Sequence, residues 1–125
     1  MSEQTFDALD WAALGQQIDQ DGCAVIKSLL SAQACDDVSA LYAQSAPFRS
    51  QVIMARHGFG RGEYKYFNYP LPDTVARLRS ALYPRLVPIA NRWYECMDLP
   101  TRFPATHEAF LQRCHAAGQE RPTPL

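Results

Sequence analysis

Residues 51–69 read QVIMARHGFGRGEYKYFNY, and this stretch decides the fold. Gln51–Ala55 and Glu63–Tyr69 are two short runs of apolar, β-branched and aromatic residues. Between them lies Gly58-Phe59-Gly60-Arg61-Gly62, whose glycines permit the positive φ that a tight reversal demands. The pattern predicts a β-hairpin with a flexible loop. Side chains alternate along a strand, so Tyr64, Tyr66 and Asn68 should face one way and Glu63, Lys65, Phe67 and Tyr69 the other.

Upstream, Asp10 is positioned to cap a helix carrying Trp11, Leu14 and Ile18, which Asp21-Gly22 closes. Cys23-Ala24-Val25-Ile26 then fits a short buried strand. Ser31 caps a second helix, with Ala34, Cys35, Val38, Leu41 and Tyr42 on one face. Pro47 breaks this helix–strand–helix pattern. Downstream, Pro70 and Pro72 end the second strand of the hairpin, and Asp73 should cap a long helical stretch. Its apolar positions are Val75, Leu78, Leu82, Leu86, Ile89 and Trp93, spaced as one amphipathic face. Pro84 and Pro88 each remove a backbone donor, which predicts a kink or a break into two helices near Tyr83. Asp98-Leu99-Pro100 stops the stretch. A last helix is expected over Thr106–Ala117, with Phe110, Leu111 and Cys114 inward and Gly118 as its stop, and Gln119–Leu125 should begin an extended segment.

The class is therefore α+β, in one domain over residues 1–125. A lone hairpin is marginal in water, and an open sheet edge must be paired or covered. These elements look like the helical support and first strands of a sheet that continues beyond Leu125. A small complete α+β domain, or a dimer that pairs its edges, would also satisfy the pattern.

Composition places the chain among soluble globular proteins: 47% of its 125 residues are hydrophobic, 20% are charged, and six Tyr, six Phe and two Trp are available to fill a core. A domain of this size buries roughly two-thirds of its unfolded surface. The net charge of −1 conceals a division. Residues 1–45 carry seven acids against Lys27, which gives −6, and residues 46–125 carry eleven bases against six acids, which gives +5. Internal pairing of the two halves is the expected outcome. Cys23, Cys35, Cys96 and Cys114 form no CxxC pair or compact disulfide framework. The N-terminus MSEQTFDALDW lacks a basic region followed by an apolar one, and no run approaches the ~18 apolar residues of a membrane span. A cytoplasmic protein with reduced thiols and no membrane association is expected.

No catalytic residue and no metal ligand set can be assigned. A two-His, one-carboxylate iron site needs a His-x-Asp/Glu pair, but His57, His107 and His115 are followed two positions on by Phe59, Ala109 and Ala117. His107 and His115 stand roughly 12 Å apart along one helix, too far to share a metal. The glycines at 58, 60 and 62 do not make a dinucleotide loop, since Glu63 stands where the third glycine belongs and a strand follows. There is no nucleophile elbow. The stretch 56–69, which interleaves bases with aromatics, is left as the place for function. Its substrate-facing candidates are His57, Arg61, Tyr64, Lys65 and Tyr66, weighed against a half-buried hairpin whose aromatics pack on the long helix. Nucleic-acid binding is disfavoured because only Arg56, Arg61 and Lys65 are basic there.

The segments GCAVIKSLLS (22–31), RHGFGRGEYKYFNYPLP (56–72), LYPRLVPIANRWYECMDLP (82–100) and the PTPL tail resemble a bacterial family of iron(II)/2-oxoglutarate-dependent oxygenases, distantly related to prolyl hydroxylases. The resemblance covers essentially the whole chain. It implies a double-stranded β-helix (jelly-roll) fold whose helical N-terminal region supports the major sheet. In that family the His-x-Asp and distal His ligands and the basic residue for 2-oxoglutarate come later than Leu125. By that comparison the barrel core is missing here, and this chain alone binds no cofactor and is inactive. Iron(II), 2-oxoglutarate and a small-molecule or peptide substrate are implied for a full-length relative, in which the 56–69 hairpin would line the mouth of the site. The alternative is a stand-alone binding module that uses this hairpin to hold an anionic ligand or a partner protein.

Overall fold

The computed structural model describes residues 6–121. The fold is mixed α+β. Helix α1 spans Trp11–Asp21, α2 Ala32–Leu41, α3 Asp73–Cys96 and α4 His107–Ala116, with strands β1 (Phe48–Ile53) and β2 (Glu63–Phe67) between α2 and α3. The described residues hold one sheet, this antiparallel pair.

Local chemistry sets the helix ends. Asp10, Ser31 and Thr106 each accept a hydrogen bond from the backbone N–H three residues on, at 3.0, 3.2 and 3.2 Å, satisfying a donor the first turn would leave open. Gly22 ends α1 with φ 73° and returns its N–H to the Ile18 carbonyl at 2.9 Å. Asp73 is the first residue of α3 rather than its cap; Pro72 holds the cap position without a side-chain bond.

Helix α3 runs unbroken for 24 residues through Pro84 and Pro88, so the expected break near Tyr83 does not occur. The two prolines lie four apart on one exposed face. The carbonyls that lose their donors, those of Ser80 and Pro84, belong to exposed residues that water can serve.

Two faces of α3 organise its neighbours. Tyr83, Asn91 and Tyr94 meet the chain around Phe103–Phe110. The Tyr83 hydroxyl donates to the Pro104 carbonyl at 2.8 Å, and the Tyr83 ring stacks with Phe110 at 5.4 Å. The Tyr94 ring meets Phe103 edge-on at 4.9 Å. Asn91 works as a two-sided clasp: its amide donates to the Phe103 carbonyl at 3.0 Å, and its side-chain oxygen accepts from the Phe103 N–H at 2.7 Å. The other face holds α1. Arg85 pairs with Asp7 and lies over the Trp11 ring, while Asp19 accepts from Arg92 at 2.6 Å and from Trp93 Nε1 at 2.9 Å. These contacts join the acidic front to the basic back, as the charge division predicted. The expected stripe is displaced beyond Pro84: Val87 is buried, whereas Leu86 and Trp93 are exposed.

Little of the chain is deeply buried. Among the described residues only Phe6, at 4% exposure, and Val87, at 8%, form the core. The accessible surface is 9113 Å², against roughly 20,000 Å² for an unfolded 14.1 kDa chain, so about 55% is buried rather than two-thirds. The expected strand Cys23–Ile26 is not formed. These residues are irregular, Cys23 is exposed and Val25 is 70% exposed, because no strand is hydrogen-bonded beside them. Cys35 also faces solvent, and all four cysteines are free. The segment expected over Gln119–Leu125 lies partly outside the described residues.

Replacing Asn91 with Ala should destabilise the chain by about 2 kcal/mol, since two half-buried backbone groups of Phe103 lose their partner together. Urea unfolding of the two proteins checks this. The Arg92 guanidinium and the Trp93 indole hold the Asp19 carboxyl below its usual range. Its contribution is therefore full above the unfolded carboxylate pKa and fades as pH falls through the lower folded value. An Asp19→Asn variant should lose stability near neutrality and approach the parent in acid.

Candidate functional site

The hairpin differs in detail from the sequence expectation. β1 begins at Phe48 and ends at Ile53, and Met54–His57 turn as a single 3-10 helix rather than continuing the strand. β2 ends at Phe67, two residues early. Gly58 at φ 73° and Gly60 at φ 100° carry the reversal, conformations a Cβ would strain. Met54 N–H to the Gly62 carbonyl at 2.8 Å closes the loop.

Cross-strand pairs are Phe48–Phe67, Ser50–Tyr66, Gln51–Lys65, Val52–Tyr64 and Ile53–Glu63, with Arg49 as an extra residue in a bulge. One face is held by the end of α2. Tyr42 donates its hydroxyl to Glu63 Oε1 at 2.9 Å, and its carbonyl accepts from Lys65 Nζ at 2.6 Å. The Lys65 ammonium lies 4.4 Å from the Tyr42 ring centre and 5.3 Å from that of Phe48, which stacks on Phe67 at 4.9 Å. The aromatics on this side therefore pack on α2 and on each other.

The opposite face presents two tyrosines and an arginine. Tyr64 and Tyr66 meet edge-on at 5.3 Å, and the Arg49 guanidinium lies 4.8 Å from the centre of the Tyr66 ring. Tyr64 is 40% exposed. A hydrogen bond with Tyr66, then partial desolvation, raises the Tyr64 phenol above its ordinary pKa, so the Tyr64 hydroxyl stays protonated at neutral pH.

The five candidates do not converge on one point. Tyr64 and Tyr66 come together, Lys65 is on the reverse face in the grip of Tyr42, and His57 and Arg61 sit exposed at the hairpin tip. Arg49 is a candidate side chain that sequence reasoning passed over. It precedes the expected strand, and only the pairing register with its bulge brings it to Tyr66.

Among the described residues no group of three His, Cys, Asp or Glu side chains could hold a metal. His107 lies against Tyr83 and Ser80, with burial and then Arg79 lowering its pKa. The described residues thus do not fit an iron centre, and no helix among them is long and apolar enough to cross a membrane.

Residues 62–125, just over half of the chain, match the family described as "Oxygenase, catalysing oxidative methylation of damaged DNA". Two uncharacterized proteins of Mycobacterium tuberculosis, from strains CDC 1551 / Oshkosh and H37Rv, are each 42% identical over 59 residues, which is 47% of this chain. The matched stretch spans 25% of each relative's length. No solved structure matches. The chain belongs to this oxygenase family.

Ultraviolet titration of the phenols should find Tyr42, Tyr64 and Tyr83 ionising above the ordinary range. Tyr66→Phe should bring the Tyr64 phenol back down by removing the bond between hydroxyls, whereas an unchanged titration would place the two hydroxyls apart.

Proposed function

We propose that this chain is the N-terminal, substrate-presenting portion of an oxygenase that acts on DNA, and that Tyr64, Tyr66 and Arg49 are the surface on which bases stack. One observation carries this reading: a tyrosine pair and an arginine share the hairpin face opposite the one that Tyr42 grips. Such a face suits single-stranded nucleic acid, because every base has a π-face for an aromatic ring and a phosphate nearby for a cation. The family description names damaged DNA, which adds weight to nucleic acid over a small molecule or peptide. Arg49 raises the number of bases around the hairpin from three to four, Arg49, Arg56, Arg61 and Lys65, and so weakens the objection that the segment is too sparsely charged.

The resemblance of residues 56–72 and 82–100 supports iron(II) and 2-oxoglutarate as cofactors and a double-stranded β-helix as the fold of the whole enzyme. Those groups, when bound, supply oxygen activation. The described residues contribute no ligand set, so their part is to bind and orient. The glycine-jointed tip, with His57 and Arg61, lets the hairpin adjust to a strand laid across it.

Fluorescence anisotropy with a labelled single-stranded oligonucleotide tests the proposal. A Tyr64→Ala/Tyr66→Ala double variant should bind roughly 5- to 150-fold more weakly, the range given by losing about 1–3 kcal/mol of stacking. Unchanged affinity in a variant that keeps its circular dichroism would refute it.

A further inference from the structure

At the tip of the hairpin, Phe59 is 74% exposed, more than any other large hydrophobic residue among those described. It stands between Gly58 and Gly60, and nothing lies within 4 Å of the place a Cβ would take on either glycine. The loop is therefore bare on both sides of the phenylalanine. The backbone that carries it is nonetheless held. The Phe59 N–H donates to the Met54 carbonyl at 3.2 Å, the Gly58 N–H to the Ala55 carbonyl at 3.4 Å, and the Met54 N–H to the Gly62 carbonyl at 2.8 Å. Folding gains little from a phenyl ring left in water, so the hairpin itself gives no reason for one at this position.

The charge beside the ring is of one sign. Residues 54–62 hold Arg56, His57 and Arg61, all exposed, and no acid. The ion pairs among the described residues join Arg85 to Asp7 and Arg92 to Asp19, so neither tip arginine is in one. The first acid beyond the tip, Glu63, accepts from the Tyr42 hydroxyl. An apolar ring with guanidiniums on both sides complements a duplex, whose stacked bases are bordered by phosphates. Apolar wedges enter such stacks between base pairs and part them, and the cost is least where a base is damaged or mismatched.

We propose that Phe59 is a wedge that enters double-stranded DNA at a weakened base pair, with Arg56 and Arg61 on the flanking phosphates. The inference rests on the DNA reading given above and adds to it a duplex that the protein itself opens.

Duplexes carrying 2-aminopurine beside a mismatch test this, because that base brightens when it is unstacked. The full chain should raise the fluorescence of the mismatched duplex and leave a fully paired one dim. Phe59→Ala should abolish the rise and weaken binding to the mismatched duplex roughly tenfold. Its circular dichroism should not change, since the ring is exposed. Phe59→Trp should restore the rise. Arg61→Ala should lower the slope of log K against log salt by about 0.9, the loss of one duplex phosphate contact, while Phe59→Ala leaves the slope alone.

Fluorescence that does not rise, or rises equally with Phe59→Ala, would overturn the wedge; single-strand binding that depends on Tyr64 and Tyr66 would then leave the DNA reading standing. Binding to neither form of DNA would overturn both. Phe59-dependent binding to anionic phospholipid vesicles, with none to DNA, would likewise overturn both and make the tip a membrane contact.

Discussion

A strand has two faces, and among the described residues one face of this hairpin is held by the end of α2. Tyr42 at the end of α2 takes Glu63 through its hydroxyl and Lys65 through its carbonyl and its ring. Because side chains alternate, that grip commits Tyr64 and Tyr66 to the other side. A register slip of one residue would exchange the two sets and cost the contacts to Tyr42. The bulge at Arg49 then brings its guanidinium to the Tyr66 ring, so that one local irregularity supplies the arginine of that face.

The remainder of the described structure is built on α3. Its Tyr83–Tyr94 face fastens the Phe103–Phe110 region through Asn91 and the aromatic rings, and its Arg85–Trp93 side fastens α1. Exposed ion pairs contribute little each, on the order of 0–1 kcal/mol. The aromatic contacts and the Asn91 clasp are accordingly the firmer ties. Val25, Leu86, Trp93, Met97 and Leu99 remain exposed. The chain belongs to an oxygenase family, and the matched stretch spans a quarter of the length of the curated relatives.

Features governed by neighbouring residues were legible in the sequence. The caps Asp10 and Ser31, the stop at Gly22, and the glycine-bearing hairpin tip all depend on local hydrogen bonds or local φ, and all are found where the spacing puts them. Features governed by distant partners were not. Cys23–Ile26 has the composition of a strand, but a strand forms only against another strand. The prolines of α3 suggested a break because the sequence cannot show that both lie on a solvent-facing side. Arg49 escaped notice for the same reason: its place beside Tyr66 is a property of the pairing register, not of its neighbours in the chain. The alternation of Tyr64 and Tyr66 against Lys65 and Phe67 was readable in advance, whereas the identity of the covered face depended on Tyr42, twenty-one residues before Glu63.

The central claim is that the face bearing Tyr64 and Tyr66 receives a nucleic-acid base. Ultraviolet crosslinking of a single-stranded oligonucleotide carrying iodouracil, followed by peptide mapping, reads this contact directly. The account predicts attachment at Tyr64 or Tyr66. Attachment confined to Trp11, Trp93 or Phe59 would contradict it.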